Sequence, residues 1–213
     1  MNKRQSLSKV NLYVIADKKI CADRNIEDVV IQAIEGGAQM IQHRDKESSD
    51  RDFLELASVL QNICENRRVP FIINDRVDVA AYLEADGVHL GQDDLPLQVA
   101  RKILGRDRIV GISTSNIDQA EKAEKQGADY VGIGPIFDTS TKKIDKPIGL
   151  GMIRQAKEHL KIPFFPIGGI NLENLDQVID AGSTRIAVGS AVICADDVTA
   201  ATTELVEKIQ SFR

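Results

Sequence analysis

The chain of 213 residues has no tryptophan and only three tyrosines, six phenylalanines, three histidines and three cysteines. Each shortage removes a class of protein. Cys21, Cys64 and Cys194 are odd in number and far apart, which gives neither a disulfide framework nor the close ligand spacing of a zinc site. They read as reduced thiols, and the expected location is the cytoplasm. No apolar run approaches the ~18 residues that span a bilayer, and no apolar core follows the basic N-terminus as it would in a signal peptide. A membrane partner is therefore not expected. Positive charge is not in excess either: 27 Lys and Arg stand against 32 Asp and Glu, a net charge of −5. That excludes a broad basic field of the kind that holds nucleic acid, though not a local phosphate site. With 43% hydrophobic and 28% charged residues, the composition is that of a folded globular chain built on aliphatic side chains. The length suits one domain spanning residues 1–213.

What is present is a rhythm. Short β-branched or apolar runs recur at 12–17, 40–44, 70–75, 87–91, 108–114, 130–137, 163–169 and 185–190, about 25 residues apart. Between them lie segments of helical period, such as 50–67 with Phe53, Leu54, Leu56, Ala57, Leu60 and Ile63. Asp50 and Asn116 stand where N-caps belong, and Gly36, Gly105, Gly127 and Gly182 where helices should end. Eight strand-helix steps in this length predict a single-domain α/β fold, a (β/α)8 TIM barrel. A doubly wound sheet is the alternative, but no Gly-x-Gly-x-x-Gly follows the first run. In such a barrel the chemistry sits at the C-terminal strand ends.

At those ends the second run closes with Gln42, Arg44 and Lys46 on one face, because strand side chains alternate. Two cations there need an anionic ligand or internal acids such as Asp45, Glu47 or another strand's carboxylate. Asn74-Asp75 ends the third run and Gln92-Asp93-Asp94 follows the fourth. Acids on adjacent strands suit a magnesium ion completed by water and phosphate oxygens, or else serve as helix N-caps. The sixth run leads into a long polar loop with Thr139, Ser140, Thr141, Lys142 and Lys143, able to bind an oxyanion or close over a ligand, or simply solvated. Gly168-Gly169 and Gly189-Ser190 end runs seven and eight, where barrels often bind phosphate on backbone N–H groups. His43, His89 and His159 read as packing or surface residues, and no Ser-His-Asp or Cys-His arrangement assembles.

Taken in order, Gln42-x-Arg44-x-Lys46, Asn74-Asp75, Gly87-Val88-His89-Leu90-Gly91-Gln92-x-Asp94, Gly134-Pro135-Ile136-Phe137-x-Thr139-x-Thr141-Lys142, Ile167-Gly168-Gly169-Ile170 and Val188-Gly189-Ser190 resemble the thiamine monophosphate synthase family of phosphate-binding barrels. The resemblance implies the joining of 4-amino-2-methyl-5-hydroxymethylpyrimidine diphosphate to hydroxyethylthiazole phosphate, plain or carboxylated, with release of pyrophosphate. It implies that Gln42, Arg44, Lys46 and Asn74 hold the pyrimidine diphosphate, with Ser113 and Lys142 on its phosphates. Arg44, Lys46, Ser113 and Lys142 would be the catalytic set, and Asp75 and Asp94 would bind Mg2+. Thr139, Thr141, Gly169, Gly189 and Ser190 would receive the thiazole phosphate. The implied partners are these two small molecules, and a homo-oligomer is compatible. The reaction is thought to expel pyrophosphate first and needs no base, which accounts for the unpromising histidines and cysteines. Two departures are visible: His43 replaces a commonly apolar or aromatic residue, and no histidine follows Ser113 closely. A thiazole tautomerase or thiazole-phosphate-binding regulator of the same barrel type would lack the diphosphate and metal residues that are present here. A sensor using the whole pocket would keep them.

Overall fold

The structure, a computed structural model, describes residues 7–21, 23–139 and 146–212. Among these residues eight strands run β1 (Leu12–Asp17), β2 (Met40–Arg44), β3 (Phe71–Asn74), β4 (Gly87–Leu90), β5 (Ile109–Thr114), β6 (Tyr130–Ile133), β7 (Phe164–Pro166) and β8 (Ile186–Val188). All paired strands are parallel, in the order β7-β6-β5-β4-β3-β2-β1-β8. β7 and β8, at the two ends of that ladder, come into contact and bring the sheet round into a nearly closed barrel.

Ten α-helices among the described residues connect and cover the strands: α1 (Lys18–Cys21), α2 (Ile26–Glu35), α3 (Asp50–Asn66), α4 (Val77–Tyr82), α5 (Leu97–Leu104), α6 (Ile117–Lys125), α7 (Gly151–His159), α8 (Leu175–Asp180), α9 (Ser190–Ile193) and α10 (Val198–Gln210). Their local signals are legible. Asn25 caps α2 by accepting from the Glu27 and Asp28 N–H groups, and Ile26, Val29, Val30 and Ala33 form its buried stripe. Asn116 caps α6 as the sequence suggests, accepting from Gln119 N–H. For α3 the cap is Ser49 rather than Asp50: the Ser49 hydroxyl accepts from Asp52 N–H, and Asp50 becomes the first helical residue, where its charge faces the positive helix end.

Strand alternation sorts the core into two. Leu12, Val14, Ile41, Ile73, Val88, Val110 and Val131 point outward into the layer beneath the helices. Tyr13, Ile15, Met40, Ile72, Ile109, Tyr130, Phe165 and Ala187 point inward and fill the barrel. Each fully buried aliphatic side chain in these layers contributes roughly 1.5–3 kcal/mol.

His43, on the outward face of β2, is wholly buried against the Phe53 ring, 4.6 Å between centroids, and neither ring nitrogen has a hydrogen-bond partner among the described residues. Burial lowers its pKa to about 4 from an ordinary 6.5. The unfolded chain therefore binds the extra proton between pH 6.5 and 4, so stability falls as pH drops through that window and does not change further below it. The full loss is about 3 kcal/mol. His43→Leu should remove this slope: in urea denaturation the stability advantage of the variant should widen from pH 7.5 to pH 5. A constant difference between those two pH values would show that His43 does not stay neutral in the folded protein.

Candidate active site

The residues that alternate inward run on past the apolar floor into a cavity at the C-terminal mouth. It is lined from β1 by Tyr13, Ile15 and Asp17, from β2 by Gln42 and Arg44, from β3 by Asn74, from β4 by His89 and from β5 by Ser113. The opposite half comes from Gly132, Gly134 and Thr139 on and after β6, Phe165, Ile167 and Gly169 on and after β7, and Ala187, Gly189 and Ser190 on and after β8. Of the residues singled out from the sequence, Gln42, Arg44, Asn74, Ser113, Thr139, Gly169, Gly189 and Ser190 thus share one cavity. Lys46, Asp75 and Asp94 lie outside its lining, on the rim beside β3 and β4. Thr141 and Lys142, with Ser140 and Lys143, lie outside the described residues.

The cation at the end of β2, Arg44, and the one just beyond it, Lys46, are held by acids on β1 and immediately after β3. Arg44 and Asp17 are register partners on β2 and β1, and Arg44 Nη1 donates to Asp17 Oδ2. Asp17 is 2% exposed and also accepts from the Lys19 N–H. Lys46 Nζ stands 2.9 Å from Asp75 Oδ2. The internal pairing that the sequence left open is therefore present, with Asp17 and Asp75 rather than Asp45 and Glu47 as partners.

Asp75 is in the left-handed region, φ 60°, and its N–H is held by the His89 carbonyl at 2.9 Å. An aspartate tolerates this conformation better than most residues, at a cost of about 1 kcal/mol. Asp94 Oδ2 accepts from Gly91 N–H at 2.6 Å. Its carboxyl is pushed above the ordinary carboxylate value, first by burial and then by the nearby Asp75. Two carboxylates and one ammonium group thus meet on the rim. Among the described residues no group of three or more His, Cys, Asp or Glu side chains converges as a metal site. A metal here would draw its other ligands from water and substrate, which is the habit of magnesium, and it would relieve the repulsion that raises Asp94.

Gly169 has φ +64°, and a Cβ there would stand 2.3 Å from the Asp138 carbonyl oxygen. Only glycine lets β7 turn so close beneath the loop carrying Thr139.

One histidine is not where sequence reasoning put it. His43 packs and His159 pairs with Glu121 at the surface, as expected. His89, however, points into the barrel and lines the cavity, with Nε2 2.8 Å from Ser113 Oγ and Nδ1 2.9 Å from Tyr130 Oη. The parity of β4 was the available signal, since His89 is two residues from the inward Gly87. Asp17, Tyr13 and Tyr130 were also missed. Asp17 shares its face with Tyr13 and Ile15, but only the β1–β2 register sets it against Arg44.

Residues 12–192 match the family model described as thiamine monophosphate synthase. The chain is 50% identical over 188 residues to a thiamine-phosphate synthase of Halalkalibacterium halodurans, covering 88% of this chain and 89% of that one. It is 42% identical over 213 residues to one from Methanosarcina barkeri, covering 99% and 96%. Among solved structures it is similar to a thiamine phosphate pyrophosphorylase from Pyrococcus furiosus, with TM-score 0.88, 39% identity and 99% of each chain covered.

Proposed function

The chain belongs to the thiamine monophosphate synthase family, and from that membership we propose how its cavity carries out the family's reaction. The activity is that of a thiamine-phosphate synthase: 4-amino-2-methyl-5-hydroxymethylpyrimidine diphosphate and hydroxyethylthiazole phosphate are condensed to thiamine phosphate and pyrophosphate, a transferase step of thiamine biosynthesis.

We read residues 1–213 as one barrel domain whose mouth is divided in two. The pyrimidine diphosphate lies on the β2–β5 side, its ring on Gln42 and its phosphates near Arg44, Lys46, Asn74, Ser113 and Lys142. The thiazole phosphate lies on the β6–β8 side, its phosphate on Thr139, Thr141, Gly169, Gly189 and Ser190. What supports this division is the sheet order, which sets Gln42, Arg44, Asn74 and Ser113 on one half of the cavity and Thr139, Gly169, Gly189 and Ser190 on the other. Asp75 and Asp94 would hold Mg2+, which when bound supplies charge against the departing diphosphate.

In this reading the pyrimidine methylene C–O bond breaks first and its electron pair leaves with pyrophosphate. The thiazole nitrogen then gives its lone pair to the cationic methylene carbon. That nitrogen carries no proton, so no base is required. Arg44, Lys46 and Lys142 offset the leaving charge, and the cavity walls hold the two rings in line and exclude water. The partners are these two phosphorylated molecules, with neither nucleic acid nor membrane involved, and the location is cytoplasmic. No described helix is long and apolar enough to cross a membrane. The observation carrying the reading is the single cavity shared by Gln42, Arg44, Ser113, Gly169 and Ser190 beside the paired carboxylates of Asp75 and Asp94.

The test is a coupled assay on the purified protein. Pyrophosphate should be released only when both substrates and Mg2+ are present, and absence of turnover under those conditions would refute the reading.

A further inference from the structure

Tyr13 and Phe165 line the bottom of the cavity, and Tyr130 packs against both of them, fully buried. Their rings meet edge to face, with centroids 5.8 Å apart for Tyr13–Tyr130, 5.6 Å for Tyr13–Phe165 and 5.5 Å for Tyr130–Phe165. Within this apolar floor runs an unbroken line of polar atoms. Gln42 Nε2 donates to Tyr13 Oη. Tyr13 Oη and Tyr130 Oη are 2.9 Å apart, Tyr130 Oη is 2.9 Å from His89 Nδ1, and His89 Nε2 is 2.8 Å from Ser113 Oγ. The line crosses the barrel from β2 to β5, and both of its ends are residues of the cavity wall.

The seats are built for these rings. A Cβ on residue 111 would stand 2.1 Å from Tyr130 Cζ and 2.5 Å from its oxygen, so the phenol fits only because Gly111 has no side chain. Burial pushes both phenols above their ordinary pKa, so each keeps its proton.

The directions of the four bonds are linked. A phenol has one proton to give, and a neutral imidazole has one N–H and one acceptor nitrogen. With the amide N–H of Gln42 at one end, one assignment satisfies every link and also leaves no phenol proton without a partner. Tyr13 donates to Tyr130, Tyr130 donates to His89 Nδ1, and His89 carries its proton on Nε2 and donates to Ser113 Oγ. The Ser113 proton is then left to be given to a group in the cavity. Turning the Gln42 amide over reverses all four bonds and makes Ser113 donate to His89, so that only its lone pairs face the ligand.

We propose that Gln42–Tyr13–Tyr130–His89–Ser113 is a polarity relay, in which Tyr13, Tyr130 and His89 are positioning residues that couple the hydrogen-bonding character of the ring bound at Gln42 to the donor state of Ser113. A ring bearing an amino group needs the carbonyl end of Gln42, which turns the N–H end to Tyr13 and makes Ser113 a donor to the diphosphate. A ring bearing a carbonyl in that place calls for the opposite setting, in which Ser113 presents lone pairs to an anion. Specificity for an aminopyrimidine would thus be read partly at the phosphate, across the barrel. This rests on the reading of Gln42 and Ser113 as substrate-facing residues.

The test has two arms, one independent of turnover. Nitrogen-15 NMR of histidine-labelled protein at neutral pH, with resonances assigned by variants at the three histidines, should show His89 as the neutral Nε2–H tautomer. The Nδ1–H tautomer or an imidazolium would overturn the relay while leaving the synthase reading intact. In the second arm, Tyr130→Phe cuts the line and keeps the shape. It should lower kcat about tenfold, the worth of one hydrogen bond, with KM for thiazole phosphate unchanged. In a Ser113→Ala background the same substitution should have almost no further effect. Independent, fully additive losses would refute the coupling. Tyr13→Phe cuts the line one link earlier and answers the same question if Tyr130→Phe does not fold.

Discussion

Asp94→Asn and Asp75→Asn should each lower the rate of condensation by about 10²- to 10³-fold, the scale of removing a principal group that stabilises developing charge, while the fold survives. Asparagine is the informative replacement at 94 because its side-chain oxygen can still accept from Gly91 N–H, the bond Asp94 makes at 2.6 Å. It also removes the charge that burial, and then the contact with Asp75, disfavour at this position. The thermal midpoint should therefore hold or rise as activity is lost, and pyrophosphate release should no longer respond to added Mg2+ in the millimolar range. Wild-type rates in both variants would remove the metal assignment. A falling midpoint would mean that the acids serve the fold instead.

Arg44→Met should have the largest effect on stability. Asp17 is 2% exposed, and taking away its guanidinium partner leaves a buried charge uncompensated, a loss of about 3–5 kcal/mol. Asp17→Leu in the same chain should restore most of that loss, since two apolar residues can replace a buried pair. Activity should separate from stability: if Arg44 meets the diphosphate, the double variant folds yet stays inactive. Urea denaturation of both variants, followed by the pyrophosphate assay, decides the matter. An Arg44→Met chain as stable as the parent would mean that water already screens the pair, and an active double variant would take Arg44 out of the substrate site.

The strands were legible where side chains alone set them and less so where the backbone intervenes. β2 occupies Met40–Arg44, as the hydrophobic run indicates. β6 stops at Ile133, four residues short of the run, because Pro135 has no N–H to give to a ladder. β7 stops at Pro166, because Gly168 and Gly169 take up positive φ and turn the chain. β8 stops at Val188, because Ser190 already begins α9. In the site, Gln42, Arg44, Asn74, Ser113, Thr139, Gly169, Gly189 and Ser190, named from the strand ends, reach one mouth because barrel parity is a local property. The partner of Arg44 was not legible, since register between β1 and β2 is fixed by the whole barrel and not by either strand. His89 was misjudged because an imidazole inside an apolar run looks like packing until Tyr130 and Ser113 are brought to its two nitrogens.

The aromatic floor has an optical consequence. With no tryptophan in the chain, near-ultraviolet signals come from three tyrosines and weakly from six phenylalanines. Tyr13 and Tyr130 are fixed in asymmetric, packed surroundings directly below the cavity, whereas Tyr82 is 75% exposed on the surface. The tyrosine circular dichroism of the native protein is therefore dominated by the floor of the cavity, and ligand entry can be followed there without a label.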